Sequence, residues 1–482
     1  MDKTKDRTNL VALVISLLSF AYYALLSAKE WTWVFVSFDS GDWLAASSIW
    51  MVPQPYGSPL YILLGHFLNL FPGDLTIKMT LILSALPSAI TVGLVYLIIA
   101  KLKLGSRLAL VGSMVLLGCS IFLSQSTVLE EYAIATMFVT LAFYFYIADK
   151  KKLTMLCLAL GTAVHIIILP IAFLWLAVNH KERKEWVKPV LIYSAICIGF
   201  YSFILVLMAT DTPKFIAGNL SLQSINAYLG STGTIGRISI METPRRLWEA
   251  LCIVVPSLGV AIIPLWYGLR RPWDTLSKMM IVTIVFCFWL YITDTDLTTW
   301  TFLIFCLTTV VVAIALGLSR MPKWCTIATL ICALMLIVTN SFMLNASVLT
   351  KDYSEAGRYY LAVQELPDDS AVVLPKGGAY GLGLIYTISQ GRELTPIFMQ
   401  KEEGWTNQGY LDYVSWISTH EGIVGNNWIE QVDYCLDNSK EIFVAYSILP
   451  PEWQEKIDYL YETGEYNSYF RQIGQKVCRL TW

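Results

Sequence analysis

The sequence predicts an α-helical polytopic membrane protein of about eleven membrane segments, two of them a re-entrant pair, with an α/β domain at its carboxyl end. Three observations carry this. Hydrophobic residues make up 56% of the 482 and charged residues only 15%, where soluble domains carry about a quarter charged. Apolar stretches recur at spanning length, and after residue 345 the composition turns sharply toward charge.

The spans are read near 9–28, 76–100, 106–124, 130–148, 188–208, 247–268, 277–293, 299–318 and 323–345. The first is too long, and lacks the small-residue cleavage site, to be a signal peptide. Residues 153–178, "LTMLCLALGTAVHIIILPIAFLWLAV", are long enough for one tilted helix or two short ones meeting at His165. Charge decides between them. Lys150, Lys151 and Lys152 precede the stretch, and Lys181, Arg183, Lys184 and Lys188 follow it. Basic clusters favour the cytoplasmic side, so the chain is expected to go in and return. Eighteen basic residues then face inward and six face outward before residue 346. That asymmetry predicts a cytoplasmic amino terminus and an extracytoplasmic carboxyl domain, in a cell membrane or an endoplasmic reticulum.

Domains are expected at 1–345 and 346–482. The outer loop 29–75 contains "PLYILLGHFLNLFPG", too short to span at about 1.5 Å per residue and suited to an interfacial helix. The outer loop 209–246 is Gly/Ser/Thr-rich, and loops of that length are usually functional. In the carboxyl domain, "SAVVLP" and "EIFVAY" read as strands among helical runs near 354–366, 408–419 and 451–462.

Several classes fall away. The net charge is −2 and no basic block occurs, which argues against nucleic acid. Eight of ten cysteines lie in apolar stretches and read as small core residues; no CxxC or Cys/His spacing predicts a structural metal site. For Cys435 and Cys478 a disulfide and two free thiols are both open.

The chemistry-bearing residues gather at the outer boundary. "VSFDSGDWLAASSIWMVPQPYGSPLY" carries Asp39 and Asp42 beside Trp31, Trp33, Trp43 and Trp50. Those tryptophans read as an interfacial belt that partly desolvates the carboxylates and so suits one of them to general-base work. A solvated loop carboxylate is the plain alternative. Glu130 and Glu131, in "STVLEEYAIAT", open the 130–148 helix, where the macrodipole alone explains one carboxylate better than two. Asp294 and Asp296 stand at another outer helix end, and His165 at the tip of the re-entrant pair. A lone histidine in an apolar run is more often a packing residue than a ligand.

These stretches resemble the amino-terminal signature of a GT-C glycosyltransferase family that includes an animal protein O-mannosyltransferase. "DSGD…PYGSPLYILLGHFLNLFPGD…ILSALPSA" is similar to its D-S-G-E, H-P-P-G-x-P-L-Y and L-S-A-L elements; Glu130 with Tyr132 matches E-x-Y, and His165 in "LGTAVH" its histidine. The chain departs from the pattern at Gln54, Tyr56 and Asp42. The resemblance implies a polyprenyl-phosphate sugar donor presented from membrane lipid, a hexose such as mannose, and an acceptor protein, glycan or lipid. It implies catalytic roles for Asp39, Asp42 and Glu130, and substrate binding by Tyr56, Tyr61, Glu131, Tyr132 and His165. Lys214, Arg237, Arg245 and Arg246 are the outer-loop cations that suit the leaving phosphate, with interface anchoring the alternative for the last two. No cofactor is assigned, and a divalent cation is left open. A transporter of lipid-linked saccharide and a non-catalytic receptor are the competing classes; inverted repeats, expected of the first, are not evident.

Overall fold

The computed structural model describes residues 3–27, 39–48, 50, 58–180, 183–209, 243–270, 274–293, 297–347, 363, 365–374, 394–398, 441–445 and 477–480. Helices dominate. They run α1 (Lys3–Leu26), α2 (Asp39–Ser48), α3 (Pro59–Asn69), α4 (Leu75–Met79), a π-helical turn (Thr80–Ala85), α5 (Leu86–Lys101), α6 (Ser106–Gly118) and α7 (Ser120–Ser126). Then come α8 (Tyr132–Ile147), α9 (Lys151–Val164), α10 (Ile168–Val178), α11 (Arg183–Ala209), α12 (Thr243–Leu258), α13 (Ile262–Leu269), α14 (Thr275–Thr293), a 3-10 stretch (Leu297–Cys306), α15 (Leu307–Leu318) and α16 (Lys323–Ser347). Among the described residues seven helices are long and apolar enough to cross a membrane, or eight if α6 and α7, bent by 66°, make one span.

Burial sorts the spans into a centre and a rim. The Thr301–Leu318 window is 94% buried, against 17% for Lys323–Met343. Side chains such as Leu17 and Leu18 on α1, Leu191 and Ile198 on α11, and Met335 and Phe342 on α16 are apolar and exposed. With no partner but acyl chains, those faces suit lipid. Exposed Trp248 opens α12 and exposed Trp289 lies near the end of α14, while Trp266, Tyr267 and Trp324 mark the opposite end of the bundle. Arg320 donates to the Tyr267 carbonyl at that second end, at 3.5 Å. Aromatic residues at both ends of lipid-facing helices are the expected interface anchors.

Close helix crossings fix the centre. A Cβ added to Gly268 would stand 1.8 Å from the Ala313 carbonyl oxygen, and one on Gly317 would stand 1.8 Å from that of Pro264. Only glycine lets α13 and α15 approach so nearly. All twelve residues of α15 are buried, and the Thr308 and Thr140 hydroxyls meet at 2.6 Å to join it to α8.

The return at His165 follows the sequence reading. Tyr146, at the end of α8, donates to Asn179 Oδ1 at 2.9 Å just past α10. Lys151 pairs with Glu185 and lies over the Trp186 ring. Both ends of 153–178 therefore lie at one end of the bundle. The 29–75 region differs from expectation, because its tryptophans are not one belt. Trp43 is fully buried edge-on to Tyr61 with ring centroids 5.0 Å apart, whereas Trp50 is 43% exposed and stacks on His66 at 3.6 Å. An apolar ring pointing inward packs α2 onto α3, which an interfacial reading had missed; Trp31 and Trp33 lie outside the described residues. Of the eight cysteines read as core, Cys252 is exposed and Cys197 and Cys332 are half-buried, so these three are not core residues.

Near the carboxyl end four parallel strands, β1 (Ser370–Leu374), β2 (Leu394–Phe398), β3 (Ile442–Ala445) and β4 (Val477–Leu480), pair in the order β2-β1-β3-β4. β1 and β3 are the two runs read as strands. Of the helical runs read among them, 408–419 and 451–462 lie outside the described residues, as do Cys435 and all of 354–366 but 363, 365 and 366.

Candidate active site

Residues 121–136 form an unbroken buried run, although it holds Ser124, Gln125, Ser126, Thr127, Glu130 and Glu131. The chain bends after Gly118, completes the short α7, and leaves helical form at Thr127 before α8 begins at Tyr132. Irregular backbone at such depth survives only when packed against protein. Here two serines hold it. Ser84, in the π-helical turn, donates to the Glu130 carbonyl at 3.3 Å and accepts from the Glu130 N–H at 3.5 Å. Ser40, in the first turn of α2, donates to the Leu129 carbonyl at 3.0 Å.

The second of these contacts brings the two motifs together. Asp39 is the first residue of α2 and Asp42 lies one turn on, so the backbone that carries both rests against the segment that carries Glu130 and Glu131. α2 is held in turn by α3. Gly65 approaches Ser47 so nearly that an added Cβ would fall 1.9 Å from its hydroxyl oxygen. α3 starts at Ser58, whose φ of 40° is unusual for a side-chain-bearing residue, followed by Pro59 in the first helical position. Residues 51–57 of the Pro/Gly-punctuated stretch before it lie outside the described residues.

Glu130 and Glu131 are wholly buried, not at a solvated helix mouth. His165 Nε2 stands 3.6 Å from Glu131 Oε1, and its Nδ1 accepts the Ile167 N–H at 3.2 Å. Tyr132, Phe305 and Phe302 surround the imidazole, with ring centroids 5.2, 5.5 and 6.0 Å away. Tyr61 is fully buried nearby. Burial first, then the Glu131 and Glu130 carboxylates, pushes its phenol well above the ordinary tyrosine range, so it remains a hydroxyl.

The structure thus gathers Glu130, Glu131, Tyr132, His165 and Tyr61, with the backbone of Asp39 and Asp42 beside them. Arg245 and Arg246 are engaged elsewhere: Arg245 donates to Glu249 Oε1 at 2.9 Å and Arg246 to Oε2 at 3.3 Å, with the Arg246 guanidinium 6.0 Å from the Tyr291 ring centre. Tyr56, Lys214, Arg237, Asp294 and Asp296 lie outside the described residues. Sequence reasoning missed Ser40, Ser84, Phe302 and Phe305; the serines had a faint signal, since both stand inside the quoted DSGD and LSALPS elements. Among the described residues no group of three or more His, Cys, Asp or Glu side chains could hold a metal ion.

The fold has a solved counterpart. It matches ArnT from Cupriavidus metallidurans bound to undecaprenyl phosphate with a TM-score of 0.60 at 10% identity, and the apo state of that protein with 0.62 at 9%; each match covers 94% of both chains. This fold match agrees with the polytopic membrane architecture that the resemblance implied. Within it, residues 39–188 match the family model described as the Protein O-mannosyl-transferase TMEM260 N-terminal domain. That match spans every gathered residue of the site. No curated protein matches the chain.

Proposed function

We propose that the protein is a membrane glycosyltransferase that moves a sugar, a hexose such as mannose, from a polyprenyl-phosphate donor to an acceptor on the extracytoplasmic side. The observation that carries this is the Ser40–Leu129 contact, which sets the turn bearing Asp39 and Asp42 against the buried Glu130–Glu131 segment. The family model and the undecaprenyl phosphate bound to ArnT support the reading.

The chemistry sets the roles. An acceptor hydroxyl must lose its proton as the anomeric carbon gains positive character, which asks for one basic carboxylate and others that stabilise charge. Asp39 is proposed as the base, with Asp42 and Glu130 as the stabilising carboxylates. Tyr61, Tyr132, Glu131 and His165 line the sugar side, together with Tyr56. The leaving lipid phosphate gains charge and is met by Arg237 and Arg246, with Arg245 further out. The amino terminus is cytoplasmic and the strands β1–β4 belong to an extracytoplasmic domain at 346–482. The acceptor is a protein, glycan or lipid.

The test is transfer by the purified protein, in lipid, from a panel of polyprenyl-phosphate hexoses. The parent should use at least one, and Asp39→Asn should lower the rate by about 10²–10⁴-fold, the usual worth of a positioned base, with unchanged membrane insertion. Asp39→Asn activity within a few fold of the parent moves the base to Asp42; saccharide movement across the bilayer without transfer favours a transporter.

A further inference from the structure

Buried between α9 and α10, His165 is held in one protonation pattern by its own backbone. The Ile167 N–H donates to Nδ1 at 3.2 Å, so the neutral ring carries its proton on Nε2. That Nε2 faces Glu131 Oε1 at 3.6 Å, a small side-chain shift beyond hydrogen-bond reach, with 2% of the histidine side chain and none of the glutamate side chain exposed. Tyr132, Phe302 and Phe305 wall the ring and keep water from it. Glu130 lies one residue from Glu131, and the Tyr61 phenol is close enough to feel both carboxylates. A carboxylate in such a cage needs directed donors to remain charged.

We propose that His165 is a positioning residue: its Nε2–H, fixed by tautomer and facing Glu131, closes on that carboxylate and holds it ionised and aimed within the sugar side of the site. It is neither a base nor a proton shuttle, since Nδ1 is occupied as an acceptor and Nε2 already bears its proton. This rests on the function proposed above. Its decisive readout, however, needs no turnover.

The chain has four histidines, so ¹⁵N-histidine labelling of the full protein in lipid bilayers, with a His165→Gln difference spectrum, isolates the signals of this ring. The expected result is an unprotonated Nδ1 and a protonated Nε2 from pH 5.5 to 8, with the Nε2 signal moving in Glu131→Gln. A doubly protonated ring, or a proton on Nδ1, overturns the proposal. The second arm compares side chains that mimic one nitrogen each. The amide nitrogen of glutamine reaches the Nε2 position and that of asparagine does not. His165→Gln should keep transfer within several fold, whereas His165→Asn should lose about ten- to a hundred-fold, the worth of a hydrogen bond to a charged group. Equal loss in both variants, with both folded by size-exclusion chromatography, also overturns it. An inactive parent would sink the proposed function and leave the spectrum to decide this point.

Discussion

Two pairs of adjacent like charges stand in this molecule, and they meet opposite fates. Glu130 and Glu131 are sealed inside the bundle, while Arg245 and Arg246 open a lipid-facing helix and share one carboxylate, Glu249. In the sequence both pairs look alike, since each precedes a long apolar run on the same predicted side. What separates them is the company brought by the rest of the chain. Four other segments, around Ser40, Tyr61, Ser84 and His165, converge on the glutamates. The arginines are served by a residue one turn along their own helix, with Tyr291 as a longer-range neighbour. Burying like charges side by side is costly, so the sealed glutamates point to use, while the arginines, one exposed and one buried against its own helix's carboxylate, point to anchoring or capture.

Charge reversal gives the widest separation. Glu131→Lys would place an ammonium in the aromatic cage, and removing one partner of a buried pair costs about 3–5 kcal/mol. We expect loss of the cooperative thermal transition in detergent, or a transition lowered by many degrees. A parental transition would show that the cage opens to water and would end the contrast. Arg246→Ala comes next. The residue is 8% exposed and touches both Glu249 and Tyr291. Measured rates should show an apparent donor KM raised about ten-fold, as for one lost charge-assisted contact, with kcat little changed. A loss confined to kcat would place it among the reacting groups instead.

Ser84→Ala sharpens the comparison from the sealed side. It deletes two long hydrogen bonds to the Glu130 backbone at the cost of about 1 kcal/mol, visible as a small fall in melting temperature and a larger proportional fall in transfer rate. Equal parental values in both would mean that Glu130 is held by other contacts. The smallest effect belongs to Arg245→Ala. Its side chain is 74% exposed, and surface pairs of this kind rarely register. Melting temperature and donor KM should both match the parent; a clear rise in KM would make Arg245 a phosphate ligand in its own right.

Seven of the nine single spans were legible because lipid demands long apolar runs, and the return at His165 was legible because lysines flank it on both sides. The bend after Gly118 and the unwound residues 127–131 were not. Nothing in "GCSIFLSQSTVLEEY" breaks a helix by composition; Ser40 and Ser84, about ninety and forty-six positions away, hold the unwound residues, and Asn340 donates to the Gly118 carbonyl at the bend. The same holds for Trp43, whose ring looks like a membrane anchor in isolation and becomes core only when Tyr61 meets it. For the candidate site, residue types were visible as far as Glu130, Glu131, Tyr132 and His165, while their burial was visible nowhere, because burial is a property of the neighbours.

The unwound stretch also sets an order of assembly on the ribosome. α1 to α5 emerge first and can shelter one side of residues 127–131, but the wall that carries His165 is made more than thirty residues after Glu131, and Phe302 and Phe305 later still. Until then two carboxylates and an unfinished backbone face lipid or the insertion machinery. A nascent chain stalled between residues 135 and 165 is therefore the form that quality control should recognise first, and the short connection from α8 to α9, only Ala148 to Lys150, keeps that interval brief.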